Sequence, residues 1–174
     1  ECPPGNADRA TVQRAVDRTS RWAERCLATP RAPGQARFGI VQGGSYLDLR
    51  LAHLSSIASL PFEGLALGGF SVGEAMSVTY ELLAELGPRM PEDRPRYLMG
   101  VGKPIDLLRA IGCGVDMFDC VLPTRNARNA QALTWNGRVN LKQSRHRADQ
   151  APIEVSTEAQ AEAQAEAQAE AQAE

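Results

Sequence analysis

Four short apolar segments recur along this chain at intervals of about 20–35 residues, and a helix-like stretch separates each from the next. They read 37-RFGIVQGG-44, 64-GLALGGF-70, 96-RYLMGVG-102 and 115-VDMFDCVL-122. Strands joined through helices run parallel, because the crossover brings the chain back to the same end of the sheet. Apolar periodicity predicts helices over Ala10–Leu27, Tyr46–Ser59, Gly73–Leu86 and Pro104–Ile111. On the first, Val12, Val16, Trp22, Cys26 and Leu27 share a face. The third opens on a capping-box pattern, Ser71-x-x-Glu74, and closes at Gly87-Pro88. The fourth starts on Pro104. The fold class is therefore α/β, and four such units fit either an open doubly wound sheet or half of a (β/α)8 barrel.

Both architectures gather ligands at the C-terminal ends of the strands. Three of the four ends carry glycines, which either let a ligand approach the backbone or simply turn the chain into the next helix. The fourth end carries Asp119. Alternation places it with Val115, Met117 and Val121, so a buried carboxylate is expected there. It then either pairs with Arg125 or Arg128, or works as an acid, base or covalent nucleophile. Carboxylates attack glycosidic carbons, where the leaving group departs with oxocarbenium character. Asp116, at the start of the strand, reads as structural.

The net charge of −2 conceals an uneven distribution. The last twenty residues hold five glutamates and no cation, and from Glu158 they repeat E-A-Q-A, a low-complexity extension (155–174) outside the fold. From Cys120 to Ala148 there is no acid, whereas Arg125, Arg128, Arg138, Lys142, Arg145 and Arg147 are all cationic. Such a stretch suits a polyanion, or is a solvated basic face. No apolar run approaches the length of a membrane span, and the N-terminus lacks the pattern of a signal peptide. Cys2, Cys26, Cys113 and Cys120 are widely spaced, with no CxxC pair and no nearby His, which fits a cytoplasmic protein without a disulfide framework.

From Glu1 to about Glu154 the chain resembles the bacterial tRNA-guanine transglycosylases, or queuine tRNA-ribosyltransferases. The resemblance rests on FGIVQGG, the GLALGGFSVGE block, RPRYLMGVGKP and VDMFDCVLPTRNARN, in the family's order and spacing. It implies a TIM barrel, of which residues 1–154 hold about four βα units from the C-terminal half. It also implies exchange of guanine at the tRNA wobble position for a 7-deazaguanine base, with Asp119 as the nucleophile that forms a covalent ribosyl intermediate. Gln42 and the backbone of Gly69 would bond the purine, Met99 would pack on it, and Cys2 would line the pocket. Phe70 stands where the family usually has Leu, its carbonyl facing the substituent of the incoming base. Glu74 is either a helix cap or, by the resemblance, partner of the peptide that switches between substrates. Val72, where enzymes accepting queuine tend to have glycine, points to 7-aminomethyl-7-deazaguanine (preQ1).

For tRNA, the resemblance implicates Gly100, Val101, Gly102, Lys103, Pro104, Ile105 and Asp106, and then Thr124, Arg125, Asn126, Ala127 and Arg128. The family is homodimeric and binds zinc, but the CxCxxC…H ligand segment is not found in this sequence, so no metal ligand is expected here. The family's base-recognising and acid/base aspartates precede the ECPP start. The expectation is that the 174-residue chain alone lacks normal exchange activity and tends to associate. Two other readings remain: a non-catalytic tRNA-binding or accessory fragment, and a barrel enzyme acting on small molecules, which the basic run suits less well.

Overall fold

The computed structural model describes residues 1–134 and 136–153. The described residues divide into two compact units, Glu1–Leu122 and a second that starts at Pro123. The first contains α1 (Arg9–Ala28), β1 (Phe38–Val41), α2 (Leu47–Ala58), β2 (Gly64–Leu67), α3 (Met76–Leu86), β3 (Arg96–Leu98), α4 (Pro104–Gly112) and β4 (Met117–Phe118). The four strands form one parallel sheet in the order β1-β2-β3-β4. A doubly wound sheet reverses its strand order at a switch point. Here each connection steps the same way, and no switch point occurs among the described strands.

Register explains how the sheet sorts its side chains. Val41 pairs with Leu67, Leu67 with Leu98, and Leu98 with Phe118. Neighbours in a parallel ladder share a face, so these residues all point to one side. There they meet Leu54 and Ile57 of α2, Leu82, Leu83 and Leu86 of α3, and Ala110 of α4 in one apolar cluster. Full burial of each large aliphatic side chain contributes roughly 1.5–3 kcal/mol. The close approach of α2 depends on Gly39, where a Cβ would lie 2.5 Å from Ile57 Cγ2. The opposite face carries Phe38, Ile40, Ala66, Tyr97 and Met117. Ala66 is only 1% exposed between Ile40 and Tyr97, whereas Met117 on the last strand is 42% exposed.

Several expectations need correction. Helix α1 begins after Asp8, whose carboxylate caps the Thr11 N–H at 2.9 Å, and it buries Val12, Ala15, Val16, Thr19 and Ala23. Trp22 and Cys26, expected on that face, are exposed, with Trp22 44% accessible. Helix α3 starts at Met76 behind Ala75, which makes no side-chain cap bond, so the Ser71-x-x-Glu74 pattern precedes the helix instead of opening it. The fourth strand shrinks to Met117–Phe118, with β3 its one strand partner among the described residues. Val115 precedes the strand, its N–H bonded to Ala110 O, and is buried apart from Met117 and the exposed Val121. Asp119 is likewise exposed, not buried, because a two-residue edge strand brings no layer over it.

Helix α5 (Leu122–Arg128) leads into the second unit, where an antiparallel hairpin joins β5 (Gln131–Thr134) to β6 (Gly137–Asn140). Asn136 lies in the two-residue connection, and Gly137, at φ +112°, opens β6 opposite Thr134. The EAQA extension lies outside the described residues. Among the described residues no helix is long and apolar enough to cross a membrane.

Candidate active site at the C-terminal ends of the strands

One residue beyond the last paired positions, the register carries across the sheet as a row: Gln42, Gly68, Met99 and Asp119. Bonds from Gly68 N–H to Val41 O (3.0 Å) and from Met99 N–H to Leu67 O (3.3 Å) extend the ladder to this row. An open cleft of about 420 Å³ lies over it, lined by Cys2, Gln42, Gly69, Phe70, Met99, Gly100 and Asp119 together with Glu1, Ile40 and Gly68. That volume is within the range of small-molecule sites. All five residues expected to touch the base, and the expected nucleophile, therefore come together in one place.

Asp119 Oδ1 accepts two hydrogen bonds, from the Tyr97 hydroxyl at 2.7 Å and from the Gly100 N–H at 2.9 Å. Both donors favour the ionised form, Tyr97 more than Gly100, and they outweigh the opposing effect of burial to hold the carboxyl below its usual range. Reciprocally, Asp119 raises the pKa of the Tyr97 phenol. Oδ2 accepts from no donor among the described residues, so the group is an anchored carboxylate with one free oxygen. Gly100 adopts φ +78°, a left-handed conformation open to glycine, and this aims its N–H at the carboxylate.

The Gln42 side chain lies across the Gly68–Gly69 backbone. A Cβ on Gly68 would sit 2.6 Å from Gln42 Nε2, and one on Gly69 would sit 2.6 Å from Gln42 Oε1. Gly69 also has φ +69°. Gln42 Oε1 is buried with no partner among the described residues, an acceptor suited to a ligand donor. Helix α2 fixes this region from below. His53 Nδ1 accepts the Gln42 N–H at 2.8 Å, while burial lowers the pKa of its ring and keeps it neutral. Arg50, fully buried, donates to the carbonyls of Gly44, Gly68 and Gly69 and lies 3.8 Å from the Phe70 ring centroid.

Glu74 gathers the loop after β2. Its carboxylate accepts the N–H groups of Ser71 and Val72 and the Thr79 hydroxyl. Burial opposes ionisation, but the amides of Glu74, Val72 and Ser71 together hold its pKa below the usual range. The contact is thus with the Phe70–Ser71 peptide and its neighbour, ahead of the helix start.

In the segment expected to meet tRNA, Gly100 supports Asp119 and Val101 is buried in the core. Gly102 packs on Cys120. Lys103 is the residue before α4, and Pro104 its first position; both are exposed, as is Ile105. Asp106 is buried, its carboxylate accepting the Tyr80 hydroxyl at 2.5 Å. Thr124, Arg125, Asn126, Ala127 and Arg128 lie on α5, where none is buried. Among the described residues no three His, Cys, Asp or Glu side chains group as a metal site would need. The described residues do not fit zinc.

Fold and site together define a βα-repeat protein with an anchored carboxylate in an open cleft at the C-terminal ends of its strands. The chain belongs to the queuine tRNA-ribosyltransferase family, whose model matches residues 1–166. It is 59% identical over 153 residues to a queuine tRNA-ribosyltransferase of Sorangium cellulosum, covering 88% of this chain and 39% of that protein. Proteins of the same name from Solidesulfovibrio magneticus and Bacillus subtilis are 50% and 52% identical, over 88% of this chain and 42% and 41% of their own lengths. The chain thus spans about two fifths of the length of these curated relatives.

Proposed function

We propose that this chain carries the nucleophile and much of the base-binding cleft of a tRNA-guanine transglycosylase with a TIM-barrel fold. Asp119 Oδ2 attacks C1′ of the wobble guanosine as the C1′–N9 bond breaks, and the bonding electron pair leaves with the purine. An aspartyl–ribose ester results. The departing guanine anion takes up one proton; N9 of the incoming 7-deazaguanine then attacks C1′ and gives up its own proton, and the carboxylate departs. Gln42 and the Gly69 backbone hold the base, Met99 packs against it, and Cys2 closes the pocket. The Phe70 carbonyl faces its 7-substituent, and Val72 limits that substituent to the size of preQ1. Lys103, Arg125 and Arg128 bind phosphates of a tRNA whose wobble base is extruded, as base chemistry requires. A tRNA substrate places the protein in the cytoplasm, and the homodimer of the family is its expected assembly.

The observation that supports this most directly is the row itself. It sets an ionised carboxylate with one free oxygen in the same cleft as an unpartnered amide oxygen and a glycine backbone. The test is covalent trapping, with the protein expressed from its full reading frame. Incubation with guanine-34 tRNA should give a protein–RNA adduct that survives denaturation, disappears in Asp119→Ala, and is discharged by preQ1. Salt-sensitive tRNA binding without any adduct would replace the enzyme with a tRNA-binding protein.

A further inference from the structure

Arg50 is an unusual core residue. Its guanidinium is fully buried, and none of its hydrogen bonds goes to a carboxylate. Burial pushes its pKa down to about 10, so it stays charged at neutral pH. A buried charge is costly unless its donors are satisfied. Here the planar fork reaches two strand ends at once, from Nε to Gly44 O at 2.6 Å and from its two terminal nitrogens to Gly68 O at 3.0 Å and Gly69 O at 3.1 Å. A lysine, with one nitrogen, could not span these carbonyls.

The Gly68 carbonyl and the Gly69 N–H belong to one peptide group. A cation bonded to the oxygen draws electron density from the nitrogen and makes its hydrogen a stronger donor. The Gly69 N–H meets no acceptor among the described residues, and Gly69 lines the cleft. We propose that Arg50 is a positioning residue that polarises the Gly68–Gly69 peptide, making the Gly69 N–H a selective donor to a base with a carbonyl at C6. This rests on the base-exchange reading above. As the C1′–N9 bond breaks, the electron pair passes to the purine and negative charge reaches its C6 oxygen. A donor aimed at that oxygen is worth more in the transition state than in the ground state.

A purely structural tie would serve every base alike, so the test compares two purines. Binding of guanine and of 2-aminopurine, which has hydrogen in place of the C6 oxygen, is measured by calorimetry on the wild-type protein, Arg50→Gln and Arg50→Lys, each checked by thermal melting. Arg50→Gln should weaken guanine about tenfold while 2-aminopurine changes by less than about twofold. Arg50→Lys, which keeps the charge, should show the same selectivity at about threefold; if Arg50→Gln does not fold, this variant decides. Equal losses for the two purines, or no loss for either, would overturn the proposal while leaving base exchange intact. A wild-type protein that binds neither purine would instead remove the base-exchange reading, and this inference with it.

Discussion

Replacing Tyr97 by Phe deletes one oxygen and keeps the ring, whose edge-on packing against Phe38 (centroids 6.1 Å apart, 86° between planes) should persist. What is lost is the 2.7 Å bond to Asp119 Oδ1, leaving Gly100 as the remaining donor. A buried hydrogen bond to a charged group contributes roughly 1.5–3 kcal/mol. Asp119 is exposed, and screening by solvent reduces this to about 0.5–1 kcal/mol, or about two- to fivefold in rate if the bond orients the nucleophile. The sign in pH follows from linkage. Asp119 has a depressed folded pKa, so its stabilising effect is present above the unfolded value and is lost as pH falls through the folded value. Tyr97→Phe should therefore raise the Asp119 pKa, lower stability at neutral pH, and converge with the wild type in acid. The assay is the pH profile of adduct formation with guanine-34 tRNA, beside KM for the free base. The acid limb should move upward, the neutral rate should fall two- to fivefold, and KM should hold. An acid limb that stays put, or a loss confined to KM, would refute the assignment of Tyr97 to the carboxylate.

Gly69→Ala should weaken guanine binding by more than about tenfold, because left-handed backbone costs a non-glycine residue roughly 1–2 kcal/mol and the new Cβ would lie 2.6 Å from Gln42 Oε1. Competition binding measures it, and an alanine variant with native affinity would show that Gln42 does not face the base. Val72→Gly should admit queuine as well as preQ1, read as release of radiolabelled guanine from tRNA; exchange by queuine in the unmutated protein would contradict the steric argument. Arg125→Ala and Arg128→Ala should each reduce the slope of log affinity for tRNA against log salt by about 1. An unchanged slope would move the phosphate contacts elsewhere.

The parallel sheet and the placing of the cleft were legible in the sequence, because strand–glycine–helix units repeat and parallel strands present their ends together; the same repeat left the winding of the sheet open. Alternation also sided Asp119 correctly against Phe118, which packs on the core. It did not tell depth: burial depends on what covers a strand, and β4 is a two-residue edge. The helix-to-strand spacing was silent about Arg50 and His53, since a cation and an imidazole on an otherwise apolar helix read as its solvent side. Only the meeting of α2 with the ends of β1 and β2 turns them inward. Tyr97 had a usable signal, two positions before Met99 on the same face. Trp22 misled for the opposite reason, since helical periodicity marks a stripe without its width, and α1 buries a narrower stripe of mostly small side chains.

The row that joins Gln42, Gly68, Met99 and Asp119 also sets a tolerance to changes of length. Adjacent strands are about 4.8 Å apart, so the reading end of the cleft on β1 and β2 lies about 10 Å or more from the carboxylate beyond β4. A molecule laid along the row is measured against that fixed span. Adding or removing a residue in the connections, such as the stretch between α1 and β1, leaves the parity of the row intact. A single insertion within any one strand turns its contribution to the row toward the helices. Deletion scanning should therefore find sharp intolerance in the four strands, and in the helices whose buried faces a deletion would rotate, with tolerance confined to the loops that connect them.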